Sequence, residues 1–97
     1  MIRAHMDVFL GNDVACYSST CEMLGDADLR HYQPGLRIPL SVIVGEQDYA
    51  TPVAMSEQIK HAVPHATLSV LPNVRHLTPI ECPQLIADKI LTLVRQI

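Results

Sequence analysis

The sequence predicts an α/β fold, and three consecutive stretches predict it. Residues 40–44 (Leu-Ser-Val-Ile-Val) form a nearly continuous aliphatic run, the pattern of a strand covered on both faces in a parallel sheet. Residues 52–62 set Val53, Ile59 and Ala62, with Val63 just beyond, on one side and Glu57, Gln58 and Lys60 on the other, which is the pattern of an amphipathic helix. Residues 66–71 supply a second strand with apolar residues at Leu68 and Val70, closed by Pro72 and Asn73. Strand, helix and strand within about 35 residues match the length of a βαβ unit, whose crossover is right-handed almost without exception. Both strands are therefore expected to be parallel and side by side.

Taken in order, residues 1–10 mix apolar and polar side chains and read as a short helix or a fragment of one. Gly11-Asn12-Asp13 breaks the chain with a helix N-cap built in, ahead of a helix over residues 14–24 where Val14, Tyr17, Cys21 and Leu24 recur at helical spacing. Gly25-Asp26 is expected to end that helix, and Asp26 or Asp28 can cap a short one through Leu29, Arg30 and Tyr32. Gln33-Pro34-Gly35 reads as a loop. The stretch 38–48 organises the rest of the chain. Pro39 can open the strand because its missing N–H falls at the end of the ladder, and Gly45 can turn the chain sharply once the ladder stops. Pro52 is expected at the first position of the next helix, and Pro64 stops it. A final helix over residues 83–96 should carry Leu85, Ile86, Ile90, Leu93 and Val94 on a buried stripe.

A chain of 97 residues makes one domain at most, and one of this size buries roughly 60 to 65% of its unfolded surface. The apolar share of 48% against 18% charged is greasy for so small a chain, a balance that often marks apolar surface meant for a partner. A net charge of −3 without runs of like charge gives no electrostatic case for nucleic acid or for an anionic membrane. No apolar run approaches a bilayer span and residues 1–7 lack a signal-peptide core, so a soluble cytoplasmic protein is expected. Cys16, Cys21 and Cys82 are odd in number and lack a C-x-x-C spacing, and are read as free thiols.

Asp48 stands just past the C-terminal end of the first strand, the edge of an open α/β sheet where ligands bind and chemistry is done. It can equally be a cap, since Asp-Tyr-Ala-Thr-Pro has the form of a helix start. His76 follows the second strand in Pro-Asn-Val-Arg-His. Parallel neighbours end about 5 Å apart across the ladder. A carboxylate meeting an imidazole there fixes the ring's tautomer and stabilises the imidazolium during proton transfer, which is two parts of a nucleophile, base and acid triad. The plainer reading of His76 is a loop histidine facing solvent. His61 and His65 have the i, i+4 spacing of a metal pair, but Pro64 lies between them and no third ligand is evident, so no metal site is expected.

The strings Ile-Pro-Leu-Ser-Val-Ile-Val-Gly-Glu-Gln-Asp-Tyr-Ala-Thr-Pro and Ala-Thr-Leu-Ser-Val-Leu-Pro-Asn-Val-Arg-His-Leu-Thr-Pro-Ile-Glu-Cys-Pro resemble the C-terminal part of the α/β-hydrolase fold. In that family the triad acid follows a late strand in a Gly-Glu-x-Asp context, and the triad histidine follows the last strand, shortly before a Glu-x-Pro. By position Asp48 matches the acid and His76 the base, while Glu81 and Pro83 match the Glu-x-Pro that opens the last helix. Residues 17–30 are similar to the segment that joins cap to core in the 3-oxoadipate enol-lactonase branch. The resemblance implies a partial α/β-hydrolase fold, with residues 1–37 a helical cap-to-core segment and residues 38–97 the C-terminal βαβα part of the core.

Two departures from the family stand out. Asn73 and Arg75 occupy a loop that usually has small residues, often glycine. The family's Gly-x-Ser-x-Gly elbow, which exposes the nucleophile and supplies a backbone donor to the oxyanion, does not occur in the sequence. Ser18 and Ser19 lie in a helical pattern without flanking glycines, Ser41 and Ser69 lie inside strands, and the cysteines lack an elbow as well. The resemblance then implies the C-terminal portion of a serine hydrolase for a carboxylic ester or lactone, with acid and base but no nucleophile, inactive alone and needing no cofactor. Two strands leave unpaired edges, so the sheet is expected to be completed by another chain, either a second copy or a complementing N-terminal hydrolase segment. The alternative is a non-catalytic, dimerising interaction module derived from a hydrolase.

Overall fold

Two strands, β1 (Ser41–Gly45) and β2 (Thr67–Leu71), run parallel as direct neighbours in the computed structural model, with Ser41 opposite Thr67 and Gly45 opposite Leu71. Residues 2–97 are described; Met1, which the expected N-terminal helix included, lies outside them. The chain forms two compact units, Met1–Arg30 and His31–Ile97, so the second unit takes in residues that the sequence pattern assigns to the helical segment.

In the first unit, α1 (Ile2–Leu10) and α2 (Val14–Asp26) are separated by the expected break. Asp13 caps α2, its side chain accepting from the Cys16 N–H at 2.9 Å, and Phe9 meets Tyr17 edge-on with ring centroids 5.5 Å apart. The helix ends at Asp26, within the expected Gly25-Asp26 stop. Gly25 itself stays helical because a glycine weakens a helix by only about 1 kcal/mol relative to alanine and ends one chiefly where it turns left-handed, which this one does not. Asp28 caps the next turn, accepting from the Arg30 N–H, but that turn is a single 3-10 stretch, Arg30–Gly35, running through the expected Gln33-Pro34-Gly35 loop.

The second unit is the βαβ crossover and its sequel. Helix α3 (Val53–Ala62) packs on the sheet face that carries Val42 and Leu68, and the core gathers where Val42, Val63 and Ala66 meet Leu36, Leu40 and Ile59. Pro52 precedes α3 as its N-cap rather than opening it, with extended backbone (ψ 159) that a first helical residue could not have. His65 pins the crossover's return by donating its Nε2–H to the Ile38 carbonyl at 2.9 Å.

On the opposite face, α4 (Thr78–Glu81) leads into α5 (Pro83–Val94). Helix α5 leaves a cleft of about 270 Å³ lined by Ser41, Thr67, Ser69, Leu85, Lys89 and Leu93. The expected stripe is therefore only partly covered: Ile86 and Leu93 are half-buried, whereas Leu85, Ile90 and Val94 are exposed. A helix about 10 Å across cannot hide five apolar positions on a ribbon whose two strands are about 5 Å apart. Val70 is exposed as well, while its partner Val44 is buried. Among the described residues no helix is long and apolar enough to cross a membrane.

Candidate active site

The strands end together at Gly45 and Leu71, and the two segments that leave them are stitched into one loop pair. Glu46 N–H donates to the Leu71 carbonyl and Gln47 N–H to the Val74 carbonyl, each at 2.9 Å. Side chains add to this: the Glu46 carboxylate accepts from the Asn73 N–H at 3.3 Å, and the Gln47 amide donates to Asn73 Oδ1 at 3.4 Å. Gly45 makes the approach possible, because a Cβ there would stand 2.2 Å from the Val74 carbonyl oxygen and 2.3 Å from that of Arg75. Asn73 has φ 60, in the left-handed region that asparagine enters more readily than other non-glycine residues, which is how this loop manages without a glycine. Glu81 in α4 accepts the Arg75 N–H with both carboxylate oxygens at 3.0 Å, fixing the backbone just before His76, while Arg75 itself is exposed.

This stitching brings Asp48 and His76 into contact. Asp48 Oδ2 lies 2.9 Å from His76 Nδ1. The carboxylate's other oxygen accepts from the backbone N–H groups of Ala50 (3.0 Å) and Thr51 (2.9 Å), and the Thr51 hydroxyl donates to Oδ2 at 3.0 Å. The two sequence readings of Asp48 thus describe its two oxygens. One holds the turn that leads toward α3, though not as a helix cap, since α3 begins two residues after Thr51; the other faces the imidazole. Sequence reasoning passed over Thr51, for which the only signal was its place three residues after an aspartate, the spacing of a side-chain-closed turn.

Asp48 is only 6% exposed, yet its carboxyl is held down to about 2. The Thr51 backbone N–H is the largest single cause, helped by the hydrogen bonds from His76 and the Thr51 hydroxyl and by the charge of the ring, while burial pushes the other way. The resulting stabilisation is complete above the ordinary carboxylate value of 3.8 and is lost as pH falls through about 2. Acid titration followed by circular dichroism should show unfolding that steepens across that window, and Asp48→Asn should remove the steepening. A carboxyl carbon resonance of Asp48 titrating at the ordinary value would contradict the geometry.

His76 Nδ1 faces an ionised carboxylate, so Nδ1 carries the proton and Nε2 is left as a lone-pair base. Half the ring is exposed, and Nε2 makes no hydrogen bond among the described residues. Such a unit can take a proton from a group placed beside Nε2 and return it. No group of three metal-ligating side chains stands together among the described residues, and Cys16, Cys21 and Cys82 are free thiols.

A parallel strand pair joined by a helical crossover, with a carboxylate and an imidazole meeting at its C-terminal edge, is an α/β-hydrolase arrangement. The chain carries a portion of the α/β-hydrolase fold, and its sequence is enol-lactonase-like. It is 40% identical over 68 residues to 3-oxoadipate enol-lactonase 2 of Acinetobacter baylyi, a match that takes in 70% of this chain and 25% of that protein. Among solved structures it superposes on the enol-lactonase from Burkholderia xenovorans LB400 with a TM-score of 0.86 at 30% identity, over 92% of this chain and 34% of that one. A hydrolase from Pseudomonas aeruginosa PA01 follows with a TM-score of 0.65 at 30% identity, over 71% of this chain and 26% of that one. A carboxylesterase of Bacillus subtilis, 20% identical with a TM-score of 0.60 over 67% of this chain and 23% of that one, shares the fold alone. No protein-family model matches the sequence. The chain thus spans about a quarter of the curated relative's length and about a third of the solved enol-lactonase's.

Proposed function

We propose that Asp48 and His76 are the acid and base of a serine-type hydrolase for carboxylic esters or lactones, whose nucleophile belongs to polypeptide outside this sequence. The observation that carries this reading is the 2.9 Å contact between Asp48 Oδ2 and His76 Nδ1 at a sheet edge, with Nε2 turned free. In the assembled enzyme a serine hydroxyl beside Nε2 would attack the carbonyl carbon as its proton passes to Nε2. Collapse of the tetrahedral adduct would break the carbonyl–oxygen bond, and the leaving oxygen would take that proton. Water, deprotonated by the same nitrogen, would then release the acid and regenerate the serine. Asp48 stays ionised throughout and balances the imidazolium. The names of the related proteins point to an enol-lactone of the 3-oxoadipate kind as substrate.

The test is direct. Assayed alone on a small activated ester and on an enol-lactone, the chain should give no hydrolysis above buffer at any protein concentration. Turnover that disappears in His76→Ala would show that this chain carries its own nucleophile.

Exposed Leu85, Ile90 and Val94, with the unpaired strand edges, favour a second reading in which the chain is a module that pairs with another chain, a second copy or a complementing hydrolase segment. Light scattering decides whether it does so with itself: a mass equal to one chain removes the homo-oligomer.

A further inference from the structure

We propose that Thr51 is a positioning residue for His76: its hydroxyl oxygen and Asp48 Oδ2 form a two-acceptor fork around the ring's Nδ1–H. The three atoms make a closed triangle, with Asp48 Oδ2 at 2.9 Å from Nδ1, the Thr51 hydroxyl 3.0 Å from Oδ2, and the same hydroxyl 3.3 Å from Nδ1. Asp48 is ionised and can only accept, so the threonine proton is committed to Oδ2 and the hydroxyl's lone pairs remain for the ring. At 3.3 Å that contact is the weaker arm of the fork. The backbone of Thr51 meanwhile donates to Oδ1, so one residue grips both carboxylate oxygens and stops the carboxylate from rotating.

The ring needs such a holder because half of it is exposed, with solvent on one side offering competing partners in other orientations. A carboxylate alone presents a broad arc of lone pairs within which the imidazole can swing. Two acceptors on either side of Nδ1–H define a plane and direct Nε2 one way. Threonine suits the task because branching at Cβ restricts its side-chain rotation.

This inference rests on reading His76 as the base, but its test needs no turnover, so the two fail separately. On the full chain at about pH 9, well above the ordinary histidine value of ~6.5, two-bond nitrogen–proton correlations of His76 report which nitrogen holds the proton, and solvent exchange reports how firmly it is held. The native protein should show the Nδ1–H form with a protected proton. Thr51→Val, close in shape but lacking the hydroxyl, should exchange that proton at least ~10-fold faster and mix the two tautomers, while Thr51→Ser stays within about 2-fold of native. Thr51→Ala serves in the same way should the valine variant not fold. A valine or alanine variant that folds and keeps the native tautomer and protection overturns the proposal. So does a serine variant as impaired as valine, because that would make the methyl group responsible.

Discussion

Replacing Gly45 with alanine should detach the histidine-bearing loop from the end of β1 and cost the second unit a large part of its stability. The added carbon would sit 2.2 Å and 2.3 Å from two carbonyl oxygens of the chain, and main-chain atoms cannot swing aside as the tip of a side chain can. Relief requires the 74–75 backbone to retreat by roughly 1 Å, the shortfall from ordinary contact between carbon and oxygen. Retreat stretches the bond from Gln47 N–H to the Val74 carbonyl and carries His76 away from Asp48. Overpacking of this kind costs about 1 to 3 kcal/mol, and each lost hydrogen bond about 1 kcal/mol more. Urea denaturation should show the drop in midpoint, and the His76 ring should lose its protected Nδ1–H even where the variant remains folded. Gly25→Ala is the contrasting control: nothing lies within 4 Å of a Cβ there and the position is inside α2, so the substitution should be neutral or stabilise by up to about 1 kcal/mol. Equal behaviour of the two variants would rule out close approach as the reason for glycine at 45.

The parallel pair was legible in the sequence because its signal is local and redundant. The aliphatic run before Gly45, the amphipathic stretch behind Pro52 and the short strand after Pro64 each carry their own period, and a βαβ unit of that length has one favoured handedness. Once the strands are parallel neighbours, residues at their ends must share an edge, so the meeting of Asp48 and His76 could be inferred from topology alone. The burial of α5 was not legible. Its apolar period is genuine, but a period says which face is apolar, and only the width of the sheet opposite says how much of that face is hidden. The grip on Asp48 was also out of reach, because it comes from the N–H of Thr51 and from a hydroxyl whose direction depends on the turn's dihedral angles. Asn73 lay between these cases. Its departure from the small residue usual in the family was visible, but the φ of 60 that explains it was not.

Joined behind the remaining portion of an enol-lactonase that supplies a Gly-x-Ser-x-Gly serine, this chain should complete a working hydrolase in which His76→Ala lowers kcat by about 10⁴-fold or more. The loss is that large because, among the described residues, His76 Nε2 is the imidazole nitrogen left free beside Asp48 at this sheet edge. Without Nε2 no group of this chain takes the serine proton, and a neutral hydroxyl is a weak nucleophile. Asp48→Asn should come close to the same loss, around 10⁴-fold, by a different route. The amide can still accept the backbone N–H groups of Ala50 and Thr51 on one side, so the turn survives. On the other side it presents N–H to the ring, which moves the imidazole proton to Nε2 and leaves the base facing the wrong way. Both losses should fall on kcat with KM nearly unchanged, since neither group binds substrate in the ground state. A fused enzyme that keeps about a tenth of its rate or more without His76 would have lost less than removal of a general base costs, and would transfer the base to another residue.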